Sequence, residues 1–534
     1  MRKELLYLVF LVIMAGAYII VSVISSGYRG LNIDEVYQLD FCMHHGFVEV
    51  LTLDPYACPL FTAIAWVWYR IVPYGDLALR ILPIVFAAGS LMLASGAART
   101  LGGRRTGLVA ALLLFVNAHL LCGGALNFRP YALYVLLAAW VLYLYMRRLA
   151  VIAAGDKSTW PNAIFMGIAM ALLAYTHYLG IVFCFILFVF DLILLVSGKV
   201  KGSRRRIFSS YAIAVVLYIP WIAVALKSFM THVAPAVETA GDEQAAGELD
   251  TSVVRNIGKS GDDLDINGMF AYLCGSTYAA AVFGVVSVAI ALLVIYKVVK
   301  HEFSLSNGFG LLVLLALAHC MIAPFYFLAT QTDVITTFWT DRYFMPLMVV
   351  IAVSEAALLA HIIKMLPNWG WLHAALALLL VVPIGCYGVK EYCETLDNGN
   401  AAMYEPFANY LISQPDIQDD ETAWLTLSAS KNRGREISVW MEYIFNANGR
   451  RDIDINVIDG CDVEVRADPD CIRPYKVLYV SINSNNFNYP FLAKEFRKIL
   501  REEYTLVETY RPYPETHPRE YVRTYVRNDV YKED

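Results

Sequence analysis

Two adjacent carboxylates, Asp34 and Glu35, come shortly after the first long apolar stretch of the chain. Residues 5–26 of that stretch are long enough to cross a lipid bilayer as a helix, so the pair is expected at the membrane surface. A carboxylate beside hydrocarbon must be solvated, paired or bound to a metal. The pair is therefore either part of an ordinary solvated loop or the acidic part of a site.

Three basic side chains share one property, which is that each stands where an apolar segment begins or ends. Arg129 precedes such a segment in NFRPYAL, His177 closes one in AYTHYLG, and Arg342 precedes one in FWTDRYFMPL. Each has an ordinary alternative, because an arginine at a helix end can reach bulk lipid phosphates and a histidine between tyrosines can join an interfacial aromatic cluster.

Two acids and three basic groups at one membrane face suit the transfer of a sugar from a lipid-linked phosphate. The phosphate is already a good leaving group, so it needs cations rather than a general acid as its charge builds up. Arg129, Arg342 and His177 are the candidates for that task. The acceptor hydroxyl needs a base, and an ionised Asp34 fits this role.

The composition predicts a protein that crosses the membrane many times. Of its 534 residues, 58% are hydrophobic and only 17% are charged, and the mean hydropathy is +0.52. The net charge of −5 argues against a nucleic-acid partner. The ten cysteines show no C-x-x-C spacing, which argues against a zinc ribbon or an iron–sulfur site.

Loops rich in Lys and Arg alternate with acidic or aromatic loops, which predicts eleven spans with the N-terminus in the cytoplasm and the C-terminus outside. The predicted spans are 5–26, 77–98, 106–123, 130–146, 161–179, 179–197, 207–227, 272–298, 308–328, 343–364 and 371–389. This topology places Asp34, Arg129, His177 and Arg342 on the same, outer face.

Residues 27–76 form a large outer loop in this topology, and it carries Asp34, Glu35 and Asp54. Its Trp-rich and Tyr-rich part, residues 57–73, is too short for a span and is expected to lie as a helix at the membrane interface. A second outer loop, 228–270, is either a mobile lid over a site or a disordered solvated loop.

The composition becomes polar from about residue 390, which predicts a small α/β domain outside the membrane. The expected strands are 422–428, 453–458, 476–482 and 505–511, and the expected helices are 435–445 and 491–500. No G-x-G-x-x-G sequence and no nucleophile elbow occur there, so no chemistry is assigned to it. Cys461 and Cys471 are either free thiols or a disulfide.

Short motifs in a fixed order resemble the GT-C superfamily of polyprenyl-phosphate-sugar-dependent glycosyltransferases, in the family 39-like branch with bacterial protein-mannosyltransferase-like and aminoarabinose transferases. The resemblance spans most of residues 28–350. The motifs are the Asp34–Glu35 pair, Asp54 with Pro59–Leu60–Phe61, ALRILP with Arg80, RPYAL from Arg129, YTHYLG from Tyr175, and RYFMPL from Arg342.

The resemblance implies that Asp34 is the catalytic acid residue with Glu35 beside it, and that Arg129 lies near the donor phosphate. Tyr131, His177 and Arg342 are the further candidates for binding that phosphate, and Asp54 is an additional site candidate. Family members often have H-P-P-L-Y where this chain has Ala57-Cys58-Pro59-Leu60-Phe61, so a possible histidine ligand is missing and dependence on a divalent metal stays open.

Two other classes of function were weighed against a transferase. A transporter or flippase of lipid-linked sugars should show paired halves and ionisable groups at mid-membrane, but no internal repeat is visible and only Asp191 and Glu355 come near that position. A membrane-anchored binding or scaffold protein would leave the acidic pair and the RPY motif unexplained.

The sequence therefore predicts a GT-C-like α-helical membrane protein with a transmembrane domain, 1–389, and an extracytoplasmic α/β domain, 390–534. We expect it in the cytoplasmic (inner) membrane. The expected partners are a polyprenyl-phosphate-linked sugar, membrane lipid, and an envelope glycan, lipid or protein as acceptor.

Overall fold

A computed structural model of the chain describes most of its length. The described residues are 2–28, 30–52, 58–72, 74–198, 200–228, 265–301, 304, 308–331, 340–366, 370–397, 404–414, 421–427, 433–450, 453, 456–459, 468–482, 494–511 and 521–531. Asp54, Cys461 and residues 229–264 of the predicted 228–270 loop lie outside them. The predictions about these residues therefore stay predictions.

Nine helices in the described part of the chain are long and apolar enough to cross a membrane, as the hydropathy predicts. Their spanning parts are Arg2–Ser26, Asp76–Gly102, Tyr131–Ala153, Leu179–Val196, Arg204–Val224, Thr277–Val299, Gly310–Phe327, Leu347–Met365 and Trp371–Glu394. Three of these parts belong to longer or broken helices, namely Arg204–Ser228, the pair Gly310–Cys320 and Ala323–Gln331, and Gly370–Asp397.

The other two predicted spans are shorter helices than the hydropathy suggests. Predicted span 106–123 is a 12-residue helix, Arg104–Phe115, followed by a π-helical turn, Leu120–Ala125. Asn117 explains the break, because its side chain accepts a hydrogen bond from the Leu120 N–H (2.9 Å) and donates one to the Leu273 carbonyl (2.9 Å). Predicted span 161–179 is the 17-residue helix Trp160–Thr176.

Short helices precede the second span and follow the seventh predicted one. They are Ile33–His44, Phe47–Val50, Pro59–Ile71 and Ile266–Cys274, and single 3-10 turns lie at Lys201–Ser203 and Asp341–Phe344. Pro59–Ile71 is too short to span a bilayer, as predicted for the aromatic stretch 57–73. Its Trp66 and Trp68 indole N–H groups donate to the carbonyls of His45 (2.8 Å) and Ala78 (2.9 Å).

The turn between Ile266–Cys274 and Thr277–Val299 shows how local sequence sets the helix ends. Gly275 ends the first helix at a φ of +90°, a backbone conformation that favours glycine. A Cβ at this position would also lie 3.2 Å from the Cα of Asn117. The next residue, Ser276, starts the second helix by accepting a hydrogen bond from the Ala279 N–H at 3.1 Å.

The chain divides into two compact units. The first consists of Met1–Tyr28, His45–Ile71 and Leu77–Asn398, and the second of Arg29–His44, Val72–Asp76 and Gly399–Asp534. The helix Ile33–His44, which carries Asp34 and Glu35, thus belongs to the same unit as the C-terminal residues. The domain boundary expected between residues 389 and 390 stays a prediction.

The core of the first unit is built around the helix Leu347–Met365. Six other described helices pack against it, namely Arg104–Phe115, Tyr131–Ala153, Ile266–Cys274, Thr277–Val299, Gly310–Cys320 and Gly370–Asp397. Of its spanning window, 78% is buried inside the protein, which explains why apolar residues cover it on all sides.

The C-terminal residues form the small α/β fold that the composition predicts. Five strands, β1 (Thr422–Leu427), β2 (Asn456–Asp459), β3 (Val477–Ile482), β4 (Tyr504–Tyr510) and β5 (Tyr521–Arg527), make one sheet of order β2-β1-β3-β5-β4. β1 pairs in parallel with β2 and β3, whereas β5 runs antiparallel to β3 and β4. The helices are Tyr404–Ile412, Arg433–Ala447 and Lys494–Glu503, with a 3-10 turn at Pro469–Ile472.

The four predicted strands and both predicted helices are confirmed, with ends shifted by a few residues. β5 was not predicted, although YVRTYVR is rich in the β-branched and aromatic residues typical of strands. The core of this sheet contains Ala423, Leu425, Leu478 and Val480 on the strands and Phe496 on the helix Lys494–Glu503.

Candidate functional site: an aromatic and basic cluster and an acidic helix

Basic and aromatic side chains from three separate parts of the first unit meet in one cluster. The Arg342 guanidinium lies over the ring of Tyr131, with its central carbon 5.8 Å from the ring centre. The His177 ring stacks on Tyr134, with centroids 4.9 Å apart and planes at 20°. The His177 ring also contacts the ring of Tyr343, with the two centroids 4.9 Å apart. Residues far apart in sequence thus lie together, and three of them, Tyr131, His177 and Arg342, are residues for which phosphate binding stays a prediction.

Helix ends position each member of this cluster. Tyr131 and Tyr134 lie in the first turn of Tyr131–Ala153, which Pro130 precedes at a position where its missing N–H costs nothing. His177 ends Trp160–Thr176 with extended backbone angles, φ −161° and ψ 137°. Arg342 lies in the 3-10 turn Asp341–Phe344, just before Leu347–Met365. Backbone groups at helix ends lack helical partners, so these are natural places for polar chemistry.

His177 is a neutral hydrogen-bond donor in this setting. Burial, together with the positive charge of Arg129, lowers the pKa of His177 to about 4. Its Nδ1 accepts a hydrogen bond from the Leu179 N–H at 3.2 Å, so the ring proton belongs on Nε2. At neutral pH His177 can therefore donate one hydrogen bond to a ligand, but it adds no full positive charge.

Arg129 belongs to the cluster because its positive charge lies close enough to His177 to lower the pKa of that imidazole. The residue before it, Phe128, is fully buried and packs edge-on against Phe61, with ring centroids 5.7 Å apart. Arg129 itself is half-buried, so an apolar anchor holds a cation that still reaches the surface. The four predicted phosphate-binding residues, Arg129, Tyr131, His177 and Arg342, are thus all parts of this cluster.

Glu35 has a structural task in the first turn of the helix Ile33–His44. The Asn32 N–H donates to Glu35 Oε2 at 2.9 Å, and the Glu35 N–H donates to Asn32 Oδ1 at 3.0 Å. This reciprocal pair is a capping box, which satisfies two N–H groups that the helix start leaves without partners. The Glu35 side chain is fully buried. A part for Glu35 in catalysis stays a prediction.

Asp34 occupies the neighbouring position of the same first turn and is only half-buried. An acid in the first turn is favourable there, because the helix N-terminus carries a partial positive charge. Adjacent residues of a helix point in different directions. The two acids of the predicted pair therefore differ. Glu35 caps the N-terminus of the helix, whereas Asp34 is partly accessible to solvent.

Sequence reasoning missed two features of these sites. The capping box was readable from Asn32, which stands three residues before Glu35. The two additional rings, Tyr134 and Tyr343, had weaker signals. Tyr134 stands three residues after Tyr131 on the same helix, and Tyr343 follows Arg342 directly.

No group of three or more His, Cys, Asp or Glu side chains in the described part of the chain is arranged to hold a metal ion. Dependence on a divalent metal therefore stays open, because Asp54 and other acidic residues lie outside the described ranges.

No protein-family model and no curated protein matches the chain. The solved structures that are similar in fold include one of ArnT and two of an archaeal oligosaccharyltransferase. ArnT from Cupriavidus metallidurans, bound to undecaprenyl phosphate, has a TM-score of 0.55 at 12% identity, with 96% of this chain and 98% of ArnT covered.

The other two are structures of the oligosaccharyltransferase from Archaeoglobus fulgidus. AglB in complex with an inhibitory peptide and a dolichol-phosphate has a TM-score of 0.52 at 13% identity, with 95% of this chain and 74% of AglB covered. The apo form has a TM-score of 0.50 at 12% identity and covers 80% of this chain. The match spans 63% of the length of that apo chain.

These likenesses confirm the predicted fold class. The chain is a multi-pass membrane protein with the GT-C fold and a small C-terminal α/β region. At 12–13% identity they show the fold and leave activity to be argued from the site.

Proposed function

We propose that this protein is an integral-membrane glycosyltransferase that moves a sugar from a polyprenyl-phosphate donor to an acceptor hydroxyl. The observation that carries the proposal is the cluster of Arg129, Tyr131, His177 and Arg342, in which cations, aromatic rings and a neutral imidazole meet at helix ends. The fold also supports the proposal, because ArnT, which is similar to this chain over nearly the whole length of both, was solved with undecaprenyl phosphate bound.

The cluster suits the phosphate of such a donor. Arginine is the side chain best shaped to bind phosphate oxygens, because its guanidinium group can donate two parallel hydrogen bonds. Arg129 and Arg342 provide two such guanidinium groups. The Nε2–H group of His177 supplies a further donor. The rings of Tyr131 and Tyr134 limit where the basic groups can move, so less freedom is lost when the ligand binds.

The reaction breaks the bond between the anomeric carbon of the sugar and the phosphate oxygen. The acceptor oxygen attacks that carbon, its proton passes to the Asp34 carboxylate, and the electron pair of the broken bond leaves with the lipid phosphate. Charge builds up on the phosphate oxygen in this step, so preorganised cations lower the barrier. A positioned base contributes about 10²–10⁴ in rate.

Location and partners follow from this proposal. The charge pattern of the loops supports a site on the outer face of the cytoplasmic (inner) membrane, with the N-terminus inside and residues 390–534 outside. An envelope glycan, lipid or protein would then be the acceptor.

The test is transfer of radiolabelled sugar by the purified, detergent-solubilised protein from a panel of polyprenyl-phosphate sugars to membrane extracts. With a donor identified, we expect Asp34→Asn to lower turnover by about 10²–10⁴ while donor binding stays normal. Glu35→Gln is the matched control, because the amide oxygen can still accept the Asn32 N–H. It should change turnover far less unless both acids share a metal.

A wild-type protein that transfers no sugar from any donor, yet moves a labelled lipid-linked sugar across a liposome bilayer, would instead favour the flippase. An Asp34→Asn protein that turns over within a few-fold of wild type would remove Asp34 from the mechanism.

A further inference from the structure

His44 connects two helices of the second unit. It is the last residue of Ile33–His44, and its Nδ1 lies 2.8 Å from Asp40 Oδ1 on the same helix. Its Nε2 lies 2.8 Å from Glu442 Oε2 on the helix Arg433–Ala447. One imidazole thus bridges a carboxylate of the acidic helix and a carboxylate of the C-terminal residues.

The residue after Glu442 makes a second contact with the N-terminal part of this unit. The Gly75 N–H donates to the hydroxyl of Tyr443 at 3.0 Å, and the rings of Tyr74 and Tyr443 lie 6.1 Å apart. Gly75 has a φ of +139°, which favours glycine. Tyr443 is 1% exposed, whereas Tyr74 is 36% exposed, so the contact lies at the edge of the packed interior.

The helix that is held in this way is the one that carries Asp34. It packs along Arg433–Ala447, and Asp34 lies ten residues before His44, which is about 15 Å along the helix axis. A helix of this length moves as a rigid rod. A contact that fixes one end therefore also fixes the direction of the other.

We propose that the C-terminal domain orients the catalytic base Asp34 through His44 and Glu442, which act as positioning residues. The proposal rests on the proposed function, because it gives the C-terminal domain a task in the same transfer reaction. Neither residue touches the reacting atoms. Their effect is to hold the helix so that Asp34 meets the acceptor hydroxyl.

The bridge is complete only when His44 is protonated, because both ring nitrogens must then donate to carboxylates. Among the described residues, the charged groups that face His44 are Asp40 and Glu442. Partial burial lowers the pKa of His44, but the hydrogen bonds to Asp40 and Glu442 outweigh it and raise the pKa above its ordinary value.

The sign of the pH effect follows from this raised pKa. The contribution of the bridge is fully present below the ordinary histidine pKa of about 6.5 and is lost as the pH rises through the higher pKa of the folded protein. We therefore expect transfer to decline on the alkaline side, over a range that depends on Glu442.

The experiment compares Glu442→Ala, Glu442→Gln and the control Glu503→Gln in the full-length protein. Glu503 pairs with Arg473 at 2.7 Å within the C-terminal residues and is similarly exposed, so the control removes an ion pair that does not involve His44. Hydrogen exchange of amides 33–44 and the kinetics of sugar transfer are measured for each variant at the same series of pH values.

We expect Glu442→Ala to raise exchange in residues 33–44 about twofold to fivefold, the effect of an exposed ion pair. It should lower kcat about twofold to tenfold with little change in the KM for the donor, because misplacement of a catalytic group costs rate. Glu442→Gln should preserve kcat near neutral pH and flatten the alkaline decline, since an amide can pair with either form of the imidazole. Glu503→Gln should match wild type.

Unchanged exchange in Glu442→Ala, or raised exchange with unchanged kcat, would overturn the inference while leaving the transferase intact. An alkaline decline identical in wild type and Glu442→Gln would overturn it as well. A wild-type protein that transfers no sugar at all would instead overturn the proposed function on which the inference rests.

Discussion

An arginine lies near each end of the helix Tyr131–Ala153. The two regions are about 26 Å apart along the helix axis, measured from Tyr131 to Arg148. Near its last turns, Arg148 pairs with Asp191, and both side chains are 1% exposed. Asp191 also accepts a hydrogen bond from the Tyr211 hydroxyl at 2.7 Å. In the first turn, by contrast, the half-buried Arg342 lies over the ring of Tyr131.

The difference between these two regions separates a structural arginine from a functional candidate. A fully buried charge must have an opposite charge and hydrogen bonds within the protein, and Arg148 has both. The cluster around Arg342 remains partly exposed and offers cations and rings at a surface that a ligand can reach. Predictions about the two regions therefore differ in kind, because one concerns stability and the other ligand binding.

The largest effect is expected from breaking the buried pair. Arg148→Ala leaves the Asp191 carboxylate buried without its counter-charge, which should cost about 3–5 kcal/mol of unfolding free energy. Arg342→Ala should cost less, about 1 kcal/mol, because Arg342 is half-buried and its loss removes a cation–π contact with Tyr131. Unfolding of both variants by SDS titration in mixed micelles would measure this difference.

The double variant Arg148→Met with Asp191→Leu is the control, because it removes both buried charges and should recover most of the lost stability. If Arg342→Ala proved as destabilising as Arg148→Ala, the two regions would be equally structural and the comparison would fail.

A smaller effect, on binding rather than folding, is expected when the cluster loses its planar guanidinium groups. Arg129→Lys and Arg342→Lys keep the charge but lose the fork that grips two phosphate oxygens. Each should weaken binding of undecaprenyl phosphate about tenfold to a hundredfold, as expected for one charge-assisted hydrogen bond. Fluorescence binding assays in detergent would measure it.

Arg148→Lys provides the matched control for this prediction, because it should lower stability and leave binding of the lipid phosphate unchanged. Normal affinity in both Arg129→Lys and Arg342→Lys would contradict the prediction. It would favour the alternative that these arginines contact bulk lipid phosphates.

The smallest effect concerns His177. His177→Phe keeps a ring between Tyr134 and Tyr343 but removes the Nε2–H donor, so affinity for the lipid phosphate should fall only a few-fold, as for one neutral hydrogen bond of about 1 kcal/mol. Wild-type affinity should not change between pH 6 and pH 8 through this group, because its pKa is lowered to about 4.

Stability should reveal the same lowered pKa. Between pH 6.5 and about 4 the unfolded chain binds a proton that folded His177 does not, so the wild-type protein loses stability as the pH falls through this range. His177→Phe lacks this contribution. Unfolding midpoints at pH 7.5 and pH 5 should therefore differ more in wild type, and an equal difference in both proteins would contradict a neutral His177.

Hydropathy located the membrane helices well because the signal is local, since a bilayer requires about 20 consecutive apolar residues. It failed where a single polar residue made tertiary contacts. Residues 106–123 are apolar enough for a span, but Asn117 bonds to the Leu273 carbonyl and ends the helix early. The strands of the C-terminal sheet were also largely predictable, because alternation along a strand is a local property.

The sequence by itself determined the fold class and most of the candidate residues. The reason is that apolar length, loop charge and helix-start signals such as Asn32 with Glu35 depend on neighbouring residues only. Tertiary structure decided which of those residues act together. Arg342 over Tyr131, His177 between Tyr134 and Tyr343, and His44 on Glu442 join segments far apart in the chain, and such pairings depend on how the helices pack.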